Sequence, residues 1–252
     1  MYYSMGESIS WMPKWIGKKY SKLWSRFEDN LFTYQEAHNL LGEYTSNYLS
    51  EMKKSQTLFV FRKLGRKRKY RLIHPELYVY SFTHKLNLNW LSQTYYANLI
   101  LLLFKLLKEE MQENLLSLGI FGSVARGNAK KDSDLDVFII LNELNASLLE
   151  RTKLFLKIKR QHPIKNELTF LRSYDINPKL NAILRNRNEL KLSFFTIDIS
   201  FDMKIVYDNN VLQEFLDSVL ETINENNIER KYLKDGKYYL DLNLKLGEVF
   251  EF

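Results

Sequence analysis

Two aspartates one residue apart, Asp134 and Asp136, open the apolar run VFIIL at residues 137–141. Side chains alternate across a strand, so the two carboxylates share a face while Leu135 points the other way. Carboxylates held together repel and raise each other's pKa unless a cation lies between them. Hard divalent ions such as Mg²⁺ favour oxygen ligands of this kind. Upstream, the short apolar run LGIF, residues 118–121, ends at Gly122-Ser123. Glycine lets a backbone approach a ligand closely. Amides at such a turn, with a serine hydroxyl, form an anion site suited to a triphosphate. Two Mg²⁺ ions bridged by the carboxylates would activate an attacking hydroxyl and stabilise departing pyrophosphate.

The full pattern is G122-S123-x-A125-R126-G127, five residues, then S133-D134-x-D136-V137. It resembles the minimal nucleotidyltransferases of the DNA polymerase β superfamily. The match covers many positions in a strand–turn–strand context, which makes it specific for a short motif. The resemblance implies that Gly122 and Ser123 hold the triphosphate of an NTP, ATP first among the candidates, and that Asp134 and Asp136 bind the metals. Arg126 touches phosphate or braces the loop, and Ser133 caps or orients the turn at Asp134. The family also requires a third carboxylate on a later strand. In residues 191–210 Thr196, Asp198 and Ser200 alternate with Phe195, Ile197 and Ile199, which reads as a strand with one polar face. A mid-strand Asp between apolar neighbours needs a partner or a metal. Asp198 is therefore expected as third metal ligand or general base, with Asp202 as its competitor and Asp208 as a turn acid. Three acids in place argue against an inert domain.

The elements that would position this site follow from periodicity. Residues 86–116 carry Leu91, Tyr95, Leu99, Leu102, Leu103, Leu106 and Leu107 near helical spacing and read as one long helix. Val211 to Asn224 reads as another, and the tail as a strand that adds an edge to the sheet. The lysines and arginines of residues 150–190 read as a solvated face, with a minority lining a groove. The expected fold is α+β: a polymerase-β-type mixed sheet flanked by helices, occupying residues 86–252.

Residues 1–85 differ in charge. They hold 15 Lys/Arg against 7 Asp/Glu, a balance of +8, whereas residues 86–252 hold 22 against 23, a balance of −1. The whole basic excess of a chain of net charge +7 lies in its first third. Thr33 and Glu36 have capping-box spacing, two short helices flank Gly42, and Pro13 permits a helix only after it. Two β-rich runs about Gly65 read as a hairpin bearing Arg62, Lys63, Arg66, Lys67, Arg68, Lys69 and Arg71. Helix, turn, helix and basic hairpin resemble a winged helix-turn-helix domain, which implies a DNA or tRNA partner with the hairpin on phosphate. His74-Pro75 closes this module.

The motif form is most similar to antitoxins that AMPylate a partner toxin protein. A second class stays open, a DNA-binding regulator whose nucleotidyltransferase domain senses nucleotide or is inert. There are 0 cysteines, so thiolate sites and disulfides are excluded, and no H-E-x-x-H spacing suggests zinc. No secretory signal is evident, and the most apolar segment, residues 99–107, is too short to span a bilayer. The expected setting is the cytoplasm.

Overall fold

The computed structural model describes residues 9–234, 237–245 and 248–250. Pro13 supplies a fixed φ at the start of helix α1 (Lys14–Phe27), which buries Ile16, Tyr20 and Leu23. Strand β1 (Phe32–Thr33) leads into α2 (Tyr34–Leu41), where Thr33 and Glu36 form the capping box. Gly42, at φ +82°, turns the chain toward α3 (Thr45–Lys54). Strands β2 (Leu58–Leu64) and β3 (Lys67–Leu72) form the basic hairpin about Gly65, and the sheet order is β1-β3-β2.

Helix α4 (Pro75–Thr83), capped by His74, carries the chain to a segment where the structure departs from the expected long helix. Helix α5 spans only Ala97–Met111. Residues 86–96 are folded by their polar side chains instead. The Asn87 side chain accepts from the Asn89 amide, and the Trp90 indole donates to the Asn87 carbonyl. Thr94 donates to the Val60 carbonyl and Gln93 to the Gly127 carbonyl. Such side chains offer the backbone an alternative to the helical ladder.

The second sheet contains β4 (Leu115–Phe121), β5 (Leu135–Leu141), β6 (Leu180–Asn186) and β7 (Lys204–Asp208), in the order β6-β5-β4-β7. It is mixed: β4 is antiparallel to β5 and β7, while β5 and β6 are parallel. The parallel pair is joined by α7 (Leu148–Lys159) and α8 (His162–Arg172), as a crossover requires. Alternation along β5 divides its side chains between two layers. Leu135, Val137, Ile139 and Leu141 join the core that includes α5, whereas Phe138 and Ile140 pack with Leu212 and Leu216 of α10 (Val211–Glu225).

Two further expectations are corrected. The run at 196–200 is not a strand but helix α9 (Phe194–Ser200), whose start is fixed by a capping box between Ser193 and Thr196. Packing on both of its apolar sides overrides β propensity: Ile199 joins the Phe138 cluster and Ile197 the Val219 cluster. The tail does not extend the main sheet either. Strands β8 (Glu229–Tyr232) and β9 (Tyr238–Asp241) form a separate two-stranded ribbon. Among the described residues no helix is long and apolar enough to cross a membrane.

One hydrophobic core runs from Ile9 through the β1-β3-β2 region to Val206. A buried ion pair crosses it. Arg71 Nη1 and Nη2 donate to the Glu167 carboxylate at 2.6 and 2.8 Å, and the guanidinium lies 3.8 Å from the Phe170 ring centre. Arg71 is 6% exposed, so it belongs to the interior and not to the phosphate-facing set expected for the hairpin. The alternation of β3 turns Tyr70 and Leu72 inward, and Arg71 is covered from the other side by α8.

Candidate active site

Strand β4 ends at Phe121, and the chain turns at once into the single helical turn α6 (Gly122–Ala125). Gly122 adopts φ +75°, and a Cβ there would lie 2.6 Å from Asp136 Oδ2. Only glycine allows both the left-handed backbone and the close approach of the β5 carboxylate. Gly122→Ala is expected to lower stability by roughly 1–3 kcal/mol through backbone strain alone. It should also displace Asp136, and denaturant unfolding with a metal titration reads the two effects separately.

Asp134 and Asp136 flank the buried Leu135 and project toward the same side. The structure brings them together through a residue not anticipated from sequence. Strand β6 sets Asn181 in register with Asp136, and Asn181 Nδ2 donates to Asp134 Oδ2 at 3.0 Å and to Asp136 Oδ1 at 3.2 Å. One amide nitrogen thus bridges the two carboxylates. Burial, the largest influence, raises the Asp136 pKa, and the Asp134 charge adds to it. The bond from Asn181 and the charge of Arg126 act in the opposite direction.

Ser133 caps the turn before Asp134. Its hydroxyl accepts from the Lys130 amide at 2.8 Å, and its carbonyl accepts from the Tyr96 hydroxyl at 3.2 Å. Arg126 braces the loop: Nη1 donates to Asp202 Oδ2 at 2.7 Å. Ser123 is partly exposed at the start of α6, and its carbonyl accepts from the Asn128 amide at 3.1 Å.

Asp198 stands apart from this group. On helix α9 its carboxylate accepts from Arg230 Nη2 at 2.8 Å and from the Tyr238 hydroxyl at 3.1 Å. Its competitor Asp202 accepts from both Arg126 and Arg230 at 2.7 Å. Both acids are thus held by guanidinium groups. Burial opposes the charge on Arg230, but its bonds to Asp202 outweigh that and raise its pKa. Among the described residues no group of three His, Cys, Asp or Glu side chains is placed to hold a metal. Asp198, expected as third metal ligand on a strand, lies on helix α9 instead, and its carboxylate is bonded to Arg230 and Tyr238. The residue in register with Asp136 on the adjoining strand is Asn181. The run Leu180, Ala182, Ile183 and Leu184 is an apolar strand signal in the sequence, but nothing in it marks Asn181 as the partner of Asp136.

The two carboxylates, with an amide oxygen if Asn181 rotates, are donors that suit a hard divalent ion.

The family model for the nucleotidyltransferase domain matches residues 104–206, which include the glycine–serine turn, both aspartates and Asn181. The centre of the chain is thus similar to a nucleotidyltransferase domain, and the mixed sheet flanked by helices is the fold expected for one. A search of curated proteins found no match. Among solved structures, the chain is similar to a toxin–antitoxin crystallised with AMP-PNP, at 14% identity over 49% of this chain and 86% of that one, TM-score 0.33. It is also similar to two mutants of the toxin–antitoxin MntA–HpeT. One aligns at 12% identity over 48% of this chain and 84% of that one, TM-score 0.31. The other aligns at 15% identity over 48% and 83%, TM-score 0.33.

Proposed function

We propose that the chain binds a nucleoside triphosphate, ATP being the first candidate, with Mg²⁺ and transfers its nucleoside monophosphate to a hydroxyl of a macromolecule. The observation that carries this reading is the Gly122 turn pressed against Asp136, with Asp134 beside it. In the transfer an acceptor oxygen forms a bond to the α-phosphorus, the bond from that phosphorus to the bridging oxygen breaks, and pyrophosphate leaves with the electron pair. The acceptor proton passes to solvent. A divalent ion bound by Asp134 and Asp136 would neutralise phosphate charge and polarise the phosphorus toward attack. Gly122 and Ser123 approach the phosphates, and Arg126, anchored on Asp202, holds the turn and adds positive potential beside Asp136.

The acceptor class is read from the amino-terminal region. The order α1-β1-α2-α3-β2-β3 with sheet order β1-β3-β2 supports a winged-helix reading, in which α3 lies in a groove and the hairpin rests on phosphate. Lys63, Arg66, Lys67 and Arg68 are exposed, and Arg62 and Lys69 are partly so. We therefore place DNA or tRNA against this surface. Replacing Arg66, Lys67 and Arg68 together by Ala is expected to weaken binding and to reduce the slope of log K against log salt by roughly 2.7, at about 0.9 per phosphate contact. A filter-binding salt series measures it.

A second reading gains support from Asn181: a nucleic-acid-binding regulator whose central domain senses nucleotide without transferring it. Incubation with each α-labelled NTP, Mg²⁺, total tRNA and cell protein separates the two. Label on tRNA or on one protein band, such as a partner toxin, supports the transferase and names its acceptor. Absence of label with intact, nucleotide-dependent DNA binding supports the regulator.

A further inference from the structure

We infer that the site takes one divalent ion with its nucleotide, not two, and that Asn181 sets this number. The inference rests on the nucleotide-binding reading above and concerns the stoichiometry of that same site.

The argument is one of charge and register. Asp134, Asp136 and the triphosphate oxygens would together ligate the divalent ion that arrives with the nucleotide. A second ion about 3.5–4 Å away would have to share the same two carboxylates and would need a further anionic protein ligand of its own. On the strand beside β5, the position in register with Asp136 is held by the neutral Asn181. Its Nδ2 points at both carboxylates, and an amide N–H cannot ligate a metal. Rotation of the amide would offer one oxygen but no charge. The nearby acids do not replace it. Asp202 is held by Arg126 and Arg230, and Asp198 by Arg230 and Tyr238. Moving either carboxylate to a metal would take one of its two carboxylate partners from the Arg230 guanidinium, whose side chain is 4% exposed.

Asn181 itself is exposed, so its replacement leaves the core intact. The test uses the full chain, Mn²⁺ as the probe ion and a non-hydrolysable α,β-methylene ATP analogue, with bound Mn²⁺ counted by electron paramagnetic resonance. The expected stoichiometry is one Mn²⁺ per chain for wild type and for Asn181→Ser, and two for Asn181→Asp. Without metal, Asn181→Asp should also melt below wild type, because three carboxylates then face one another, and Mn²⁺ should more than restore it. Two ions in wild type would overturn the inference while leaving the nucleotide site in place. One ion in Asn181→Asp would remove Asn181 as the determinant. No Mn²⁺ bound to wild type with the analogue present would overturn both the inference and the reading beneath it.

Discussion

Asp136→Asn should unfold at a higher temperature than wild type in metal-free buffer at neutral pH, and should gain nothing when Mg²⁺ and nucleotide are added. The sign follows from the site. The Asp136 carboxyl is raised above its ordinary value of 3.8, chiefly by burial and then by the Asp134 charge. A raised pKa means that the folded state favours the protonated form, so its stabilising contribution is full at low pH and lost as pH rises through the folded-state value. At neutral pH the ionised carboxylate is a liability that the neutral amide removes. In wild type, ligand binding reverses the ranking. A ligand at a hundred times its dissociation constant adds about 2.7 kcal/mol. For a chain of this size that is a rise in melting temperature of roughly 5–10 °C. Calorimetric melts with and without MgATP, across pH, measure both halves. A wild-type chain that shows no ligand-induced rise, or an Asp136→Asn chain that keeps it, would remove the carboxylate pair from the site.

Arg71→Ala should destabilise the fold more than any change in the basic hairpin. It leaves Glu167, 5% exposed, with a buried charge and no bidentate partner. Breaking one side of such a pair typically costs about 3–5 kcal/mol. The melting temperature should therefore fall by roughly 6–20 °C. Arg71→Lys should recover little, because an ammonium reproduces neither the forked bond nor the stacking on Phe170. Arg71→Met with Glu167→Leu should recover most of the loss, since no charge is then stranded. By contrast, Arg66→Ala lies at an exposed hairpin tip and should leave the melting temperature nearly unchanged while weakening nucleic-acid binding. If Arg71→Ala melted like wild type and lost only nucleic-acid affinity, the interior assignment would be wrong.

These cases show what local sequence carries and what it does not. The turn at Gly122, the alternation of Asp134, Leu135 and Asp136, the Thr33 capping box and the Gly65 hairpin depend on neighbours a few residues apart, and each was legible. Arg71 was misread because its partner Glu167 lies 96 residues away on α8, and a basic run does not reveal which of its members turns inward. The strand reading of residues 195–200 failed because their alternation also suits a short amphipathic helix, and packing on Phe138 and Val219 with the Ser193 cap decides for the helix. Asn181 was missed for a related reason: its place beside Asp136 is fixed by parallel strand register across 45 residues. The leucine spacing of residues 86–116 merged a helix with a polar linker, because Leu91 and Tyr95 kept helical phase while the side chains between them bonded outward.

The most direct measurement of the central claim is the molar ratio of labelled nucleotide incorporated into acceptor to pyrophosphate released, with Mg²⁺, in wild type and in Asp134→Ala/Asp136→Ala. Nucleotidyl transfer predicts a ratio of about one in wild type and neither product in the double variant, since each attack at the α-phosphorus frees one pyrophosphate. Orthophosphate in place of pyrophosphate, or incorporation that persists without the two aspartates, would contradict it.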